Sequence, residues 1–166
     1  MNPSKNSVNP VFHHYRFCEL SNVLLYNALK LRSDVFVVEQ NCVYPDLDDK
    51  DTDSSTLHII SESNTLLAQD AANNQVIAYA RCLAPGVSYT GSSIGRVAVT
   101  KDARSQGLAT LLMIEAIVLC KQYWPAYPIQ IGAQEYLQDF YNKLGFSAYS
   151  EPYDEDGIMH IDMQYD

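Results

Sequence analysis

The segment Gly95-Arg-Val-Ala-Val-Thr-Lys-Asp-Ala-Arg-Ser-Gln-Gly-Leu-Ala-Thr-Leu-Leu112 offers the most chemistry in the chain. It alternates as a strand up to Thr100 and turns through Lys101, Asp102 and Arg104. Gln106-Gly107-Leu108-Ala109-Thr110 then opens an apolar helix. A helix start leaves backbone N–H groups unpaired at the positive end of its dipole. Small residues at Gly107 and Ala109 let an anion approach those donors, and Arg104 adds a charge-assisted bond from one turn earlier. The segment can therefore cradle a phosphate or pyrophosphate. The same pattern equally fits a plain strand–turn–helix, and spacing does not choose between them. It is neither a dinucleotide fingerprint nor a Walker loop, since G-x-G-x-x-G and G-K-[ST] are both absent.

A second constellation runs Gly132-Ala-Gln-Glu-Tyr-Leu-Gln-Asp-Phe-Tyr-Asn-Lys-Leu-Gly-Phe146. Phe140, Leu144 and Phe146 space as core anchors, so the adjacent Tyr141 is expected off the core, as a cleft phenol or as an ordinary surface tyrosine. The acidic run Asp46-Leu-Asp-Asp-Lys-Asp-Thr-Asp53 fails as a calcium loop, because Ser54 stands where glycine is required and Ile60 where the terminal glutamate belongs. It reads either as a solvated loop or as an electronegative rim for a cationic amine. Arg81 and Arg96 lie in apolar strands, where burial demands partners; the aspartates of 46–53 are the expected ones. No metal site is expected.

These residues need a scaffold. Residues 1–11 read as a loose arm and 12–166 as one domain. A strand is expected over Phe12–Glu19, then a helix capped by Ser21, with Val23, Leu24, Ala28, Leu31 and Val35 at helical spacing, running to about Val38. Asn41–Ser55 is a loop. Strands follow at Thr56–Ser61, Leu66–Ala71 and Gln75–Leu83, the last two joined by a hairpin at Asn73-Asn74. Ile94–Thr100 is a strand, Leu108 to about Gln122 a long helix, and Ile129–Gly132 a short strand. Glu135–Lys143 is a helix closed by Gly145, and Ser147–Tyr165 forms two strands around Asp156-Gly157. The order predicts an α/β protein with a mixed sheet flanked by helices.

Composition narrows the classes. The 166 residues are 47% hydrophobic and 19% charged, which is ordinary globular composition. A net charge of -9 opposes binding to a phosphate backbone and attracts cationic partners such as amines, although acidity also serves solubility. Cys18, Cys42, Cys82 and Cys120 form no C-x-x-C pair and read as reduced thiols of a cytoplasmic protein. The longest apolar run, Leu108–Cys120, is too short to span a membrane.

Arg104-Ser-Gln-Gly107-Leu-Ala109 resembles the R/Q-x-x-G-x-G/A acetyl-CoA signature of the GCN5-related N-acetyltransferase (GNAT) superfamily, and Phe140-Tyr-Asn-Lys-Leu-Gly-Phe146 its F-Y-x-K-x-G-F. Leu31-Arg-Ser-Asp-Val-Phe-Val-Val-Glu-Gln40, Tyr44-Pro45, Asp46-Leu-Asp48 and Ala78-Tyr-Ala-Arg81 resemble the narrower ElaA-like branch. So do Ile94–Val99, Gly132-Ala-Gln134 and Gly157-Ile-Met-His160. The matching blocks extend from about residue 12 to residue 163. The resemblance implies the GNAT acyl-CoA N-acyltransferase fold, a sheet splayed at its centre with acetyl-CoA in the gap.

By the same resemblance, Val97, Ala98 and Val99 hold the pantetheine arm. The amides and side chains of Arg104, Ser105, Gln106, Gly107, Leu108, Ala109 and Thr110 hold the pyrophosphate. Gln134 stands where the family often has an asparagine on the cofactor. Tyr141 matches the tyrosine that lies near the thioester sulfur and protonates the leaving thiolate. A neutral amine must be positioned, the carbonyl polarised and a proton accepted. Glu39 is the expected base, with His58 and His160 as further candidates on the substrate side. The resulting expectation is a cytoplasmic acetyl-CoA-dependent N-acetyltransferase acting on a primary amine of a small molecule or peptide, able to form a homodimer, with no nucleic-acid or membrane partner. The alternatives are a CoA-binding regulatory module without catalysis and a relative of the acyl-homoserine-lactone synthases.

Overall fold

The computed structural model of the protein describes residues 10–63 and 75–166. The expected strand at 66–71, the hairpin at Asn73-Asn74 and residues 1–9 of the arm lie outside the described residues. The first strand is shorter than expected. β1 covers only His13–Tyr15, because the Glu19 carboxylate accepts the Arg16 backbone N–H at 2.7 Å and closes a turn over Phe17–Glu19. Ser21 caps α1 (Asn22–Arg32) as expected, its Oγ accepting the Leu24 N–H. The helix does not stay α-helical to Val38. From Ser33 to Glu39 it widens to π-helical turns, a rare geometry often found beside functional sites.

The remaining elements are β2 (Leu57–Glu62), β3 (Val76–Leu83), β4 (Ser92–Val99), α2 (Leu108–Tyr123), β5 (Ile129–Gln134), α3 (Gln138–Lys143), β6 (Ser147–Ala148), β7 (Tyr153–Glu155) and β8 (Ile158–Tyr165). Among the described residues the strands order as β1-β2-β3-β4-β5-β8-β6, with β7 also pairing β8. Every pair is antiparallel except β4 and β5, as the long crossover through α2 requires. Asp156 and Gly157 both take positive φ (54° and 83°) and turn β7 into β8, where the sequence placed the turn.

Alternation along the strands makes two cores. Leu57, Ile59, Ala78, Ala80 and Cys82 face α2, with Leu112, Met113 and Ala116 against them. Ile60, Val76, Tyr79 and Ala98 face α1, meeting Ala28 and Leu31. β3 is therefore covered on both faces, and its one charged side chain, Arg81, has to be neutralised inside the protein.

It is neutralised by the acidic loop. Arg81 grips Asp48 through two nitrogens (2.7 and 2.8 Å) and Asp51 through a third contact (2.9 Å). Arg32, which has no exposed surface, reaches Asp46 (2.9 Å) and Asp51 (2.8 Å) and lies over the Tyr79 ring. Arg96 sits 2.8 Å from Asp46 and over the Tyr44 ring. Asp46, Asp48 and Asp51 therefore anchor the loop to α1 and the sheet, and the expected partners of Arg81 and Arg96 are the observed ones.

The network fixes a pH dependence. Burial pushes the Asp51 carboxyl up, but the hydrogen bonds and charges of Arg32 and Arg81 outweigh it and hold the group below its usual range. Asp48 is lowered to about 2, burial again being overcome, first by Arg81. A carboxylate depressed in the folded state stabilises the fold above its unfolded pKa, and that contribution is lost as pH falls through the folded value. Asp51→Asn leaves three guanidinium groups facing two carboxylates. We expect it to cost about 3–5 kcal/mol at neutral pH. The deficit should shrink as pH falls from about 4 to 2, where the wild type loses the same charge. Denaturant unfolding at a series of pH values checks both; a variant as stable as the wild type at pH 7 contradicts the network's role.

Candidate active site

β4 and β5 begin side by side and then part. Their register holds only at Ser92–Ile129 and Ser93–Gln130. β4 bends away because Arg96 adopts a left-handed φ of 54° and the register with β3 slips between Tyr79 and Arg81. Such a bulge re-aims a strand, and a left-handed non-glycine residue typically costs about 1–3 kcal/mol, so its surroundings must hold it. Here the guanidinium contacts with Asp46 and Tyr44 do so.

The parted strands enclose a cavity of about 370 Å³. Gly95, Arg96 and Val97 form one wall and Ile131, Gly132 and Gln134 the facing one. Met113, Leu137 and Tyr141 line it from the helices, and Phe36, Gln40, Cys42, Tyr44 and Asp48 from the N-terminal segment. Glu155, Ile158 and His160 line it from the β7–β8 hairpin. Nothing lies within 4 Å of the position a Gly95 side chain would take, so the cavity reaches the β4 backbone.

Tyr141 is here, though not as expected. It does not point off the core. It is 9% exposed and packs edge-on against Phe140 and Phe146, while Phe140 is the half-buried one of the adjacent pair. The helix therefore puts Tyr141 on both the core and the cavity wall. Burial pushes its phenol up to about 12, so it is protonated at neutral pH and can donate. Among the described residues, its hydroxyl enters no hydrogen bond.

Glu39 is elsewhere. It does not line the cavity; it accepts two bonds from Arg104, 2.6 Å from Nη1 and 3.0 Å from Nη2. That hydrogen bonding holds its carboxyl below the usual range, so the expected position beside an acceptor amine is replaced by an ion pair with the turn that precedes α2. Arg104 also donates from Nε to the Val99 carbonyl at 3.0 Å, tying the turn to the end of β4. Gly107 takes a left-handed φ of 79° just before α2, no side chain caps the helix, and the space a Gly107 side chain would occupy is open. Ser105, Gln106 and Gly107 are exposed, Ala109 and Thr110 half-buried, and Leu108 is a core residue whose backbone alone is available.

Of the expected pantetheine strand, Val97 lines the cavity, whereas Ala98 faces the α1 core and Val99 the α2 core. Gln134 exchanges two amide hydrogen bonds with Gln40 (3.0 and 3.3 Å) and accepts one from the Tyr136 hydroxyl at 2.6 Å. With Glu39 on Arg104 and the Cys42 thiol donating to the Asp156 carbonyl at 3.4 Å, the segment after α1 is tied to both sides of the cleft. The π-helical turns deliver it there. Sequence reasoning gave Gln40 no role.

His58 is not a substrate residue. It is 1% exposed between the Tyr79 hydroxyl (2.8 Å) and the Asp51 carbonyl (3.1 Å), and burial lowers its pKa, so it is a neutral core group. His160, in contrast, lines the cavity beside Gln134, its register partner. The electronegative rim is also corrected, since Asp46, Asp48 and Asp51 are matched by three arginines. Arg32 was missed, although a charge four residues after Ala28, on the apolar stripe, was a readable sign that it would be buried and paired.

The comparisons agree with this geometry. Residues 45–166 match the acetyltransferase (GNAT) domain family. The chain is 40% identical to protein ElaA of Escherichia coli over 151 residues, 91% of each chain. The crystal structure of that protein covers 95% of this chain and 99% of its own, with a TM-score of 0.82 and 36% identity. An acyl-CoA N-acyltransferase from Pseudomonas aeruginosa gives a TM-score of 0.83 at 34% identity, with 95% and 99% coverage. A CoA-dependent acyl-homoserine lactone synthase, at 15% identity and a TM-score of 0.68 over 93% of this chain and 82% of its own, shares the fold alone. A mixed sheet parted at its centre, a glycine-opened helix after β4 and a relative at 40% identity over nine-tenths of the chain lead to one assignment: the protein belongs to the GNAT acyltransferase family, in its ElaA-like branch.

Proposed function

We propose that the protein transfers the acetyl group of acetyl-CoA to a primary amine, on a small molecule or a peptide, by direct attack of the amine on the thioester. The observation that carries this reading is the cavity between β4 and β5 with the protonated Tyr141 in its wall. Acetyl-CoA would supply the activated acyl carbon; the protein's share is positioning, carbonyl polarisation and proton handling. The uncapped start of α2 and the open space at Gly107 suit a pyrophosphate, with Arg104 beside them. The unobstructed backbone at Gly95 suits the pantetheine arm, and Val97 supplies the cavity-lining part of that strand. Tyr141 donates its proton to the departing sulfur. The proposed setting is the cytoplasm, a reading supported by the acetyl-CoA it would draw on and by four cysteines without a C-x-x-C pair.

Two variants test the reading. Gly107→Glu adds bulk and negative charge in open space at the helix start. A side chain there is strained by its φ, which typically costs about 1–2 kcal/mol, so the fold should persist while CoA affinity, measured by calorimetry, is lost. Unchanged affinity would remove the pyrophosphate from this turn. Tyr141→Phe keeps the ring that packs on Phe140 and Phe146 and removes only the hydroxyl. We expect kcat to fall by about 10²–10⁴, the usual contribution of a positioned general acid, with CoA affinity and Tm preserved. A kcat within about threefold, less than 1 kcal/mol of barrier, would make Tyr141 a packing residue.

A further inference from the structure

The amine's proton needs an acceptor, and Glu39, held by Arg104, is turned away from the cavity. His160 is in it. Its Nδ1 lies 2.9 Å from the Ile158 carbonyl, which can only accept, so Nδ1 carries the hydrogen in the neutral ring. The Glu155 carboxylate stands 3.8 Å from the same nitrogen and favours a proton on that side. Nε2 is thereby left with its lone pair, and among the described residues it meets no partner. The ring is held in place by stacking on Tyr153, with centroids 6.2 Å apart. In the neighbouring strand Gln134 is its register partner, and Tyr141 lines the same cavity.

We infer that His160 Nε2 is the general base of this site, with Glu155 and the Ile158 carbonyl fixing its tautomer. This rests on the acetyl-transfer reading above. As the acceptor nitrogen bonds to the thioester carbon, Nε2 takes a proton from that nitrogen. The carbon–sulfur bond then breaks, and the sulfur takes the Tyr141 proton. His160 is left as an imidazolium beside Glu155 and Tyr141 as a phenolate, and proton exchange through solvent restores both. The products are the amide and the CoA thiol, with the proton count unchanged for an amine arriving neutral.

The test uses the full chain, acetyl-CoA and four amines as probes: putrescine, L-lysine methyl ester, tyramine and a tetrapeptide with a free N-terminus. Thiol release is followed in the wild type, His160→Ala and His160→Gln, with CoA affinity and Tm alongside. Loss of a positioned base should lower kcat/KM by about 10²–10⁴ in both variants while CoA affinity stays within about threefold. Added imidazole should restore at least tenfold to His160→Ala, where the ring has left space, and little to His160→Gln. A residue that merely packs would show no such rescue. An active wild type with equally active variants, or a loss that imidazole leaves untouched, overturns the base assignment alone. A wild type that binds CoA but acetylates none of the four amines overturns the acetyl-transfer reading, and this assignment falls with it.

Discussion

The buried ion network of Arg32, Arg81 and Arg96 with Asp46, Asp48 and Asp51 is the constraint on which the rest of the molecule depends. Three cations enter the protein from three elements, α1, β3 and β4, and one loop supplies all their counter-charges. Such a network adds little stability over an apolar core of the same shape, but it is costly to break and geometrically exacting. That exactness is useful here. Arg96 carries the left-handed turn that parts β4 from β5, and its side chain is held by Asp46, which is itself held by Arg32 and Tyr44. The loop thus fastens α1 to the sheet and keeps the cleft open with one set of contacts.

Around that opening the walls differ in burial and polarity. The helix side is apolar, and burial there keeps the Tyr141 phenol protonated. The hairpin side is polar and brings an imidazole and a carboxylate to the cavity. The segment after α1 spans the two, through Glu39–Arg104, Gln40–Gln134 and Cys42–Asp156. A phenol from α3 and an imidazole from the β7–β8 hairpin therefore line one cavity.

Much of this was legible in the chain. Gly107 announced the start of α2 because a helix terminus is a local feature, fixed by residues adjacent in sequence. The pairing of Arg81 and Arg96 with the aspartate loop followed from charge in apolar strands. What failed was orientation. Tyr141 and Phe140 were assigned to faces by spacing, yet α3 has only six residues and follows a 3₁₀ turn, so its phase is set by packing on Phe146. Glu39 was given its role from the block it sits in, and its pairing with Arg104, 65 residues away, depends on the π-helical turns after Arg32 and on tertiary packing, neither of which a local pattern contains. The register that separates buried His58 from cavity-lining His160 depends on strand pairing between distant segments.

The central claim is that the gap between β4 and β5, opened by the Arg96 bulge, is the seat of the acyl thioester. A crystal structure with acetyl-CoA bound tests it most directly. The account predicts pyrophosphate on the backbone of Gly107–Thr110, the pantetheine arm along Gly95–Val97 and the thioester sulfur within hydrogen-bond reach of the Tyr141 hydroxyl. Acetyl-CoA bound outside the gap, or with its sulfur directed away from Tyr141, would contradict it.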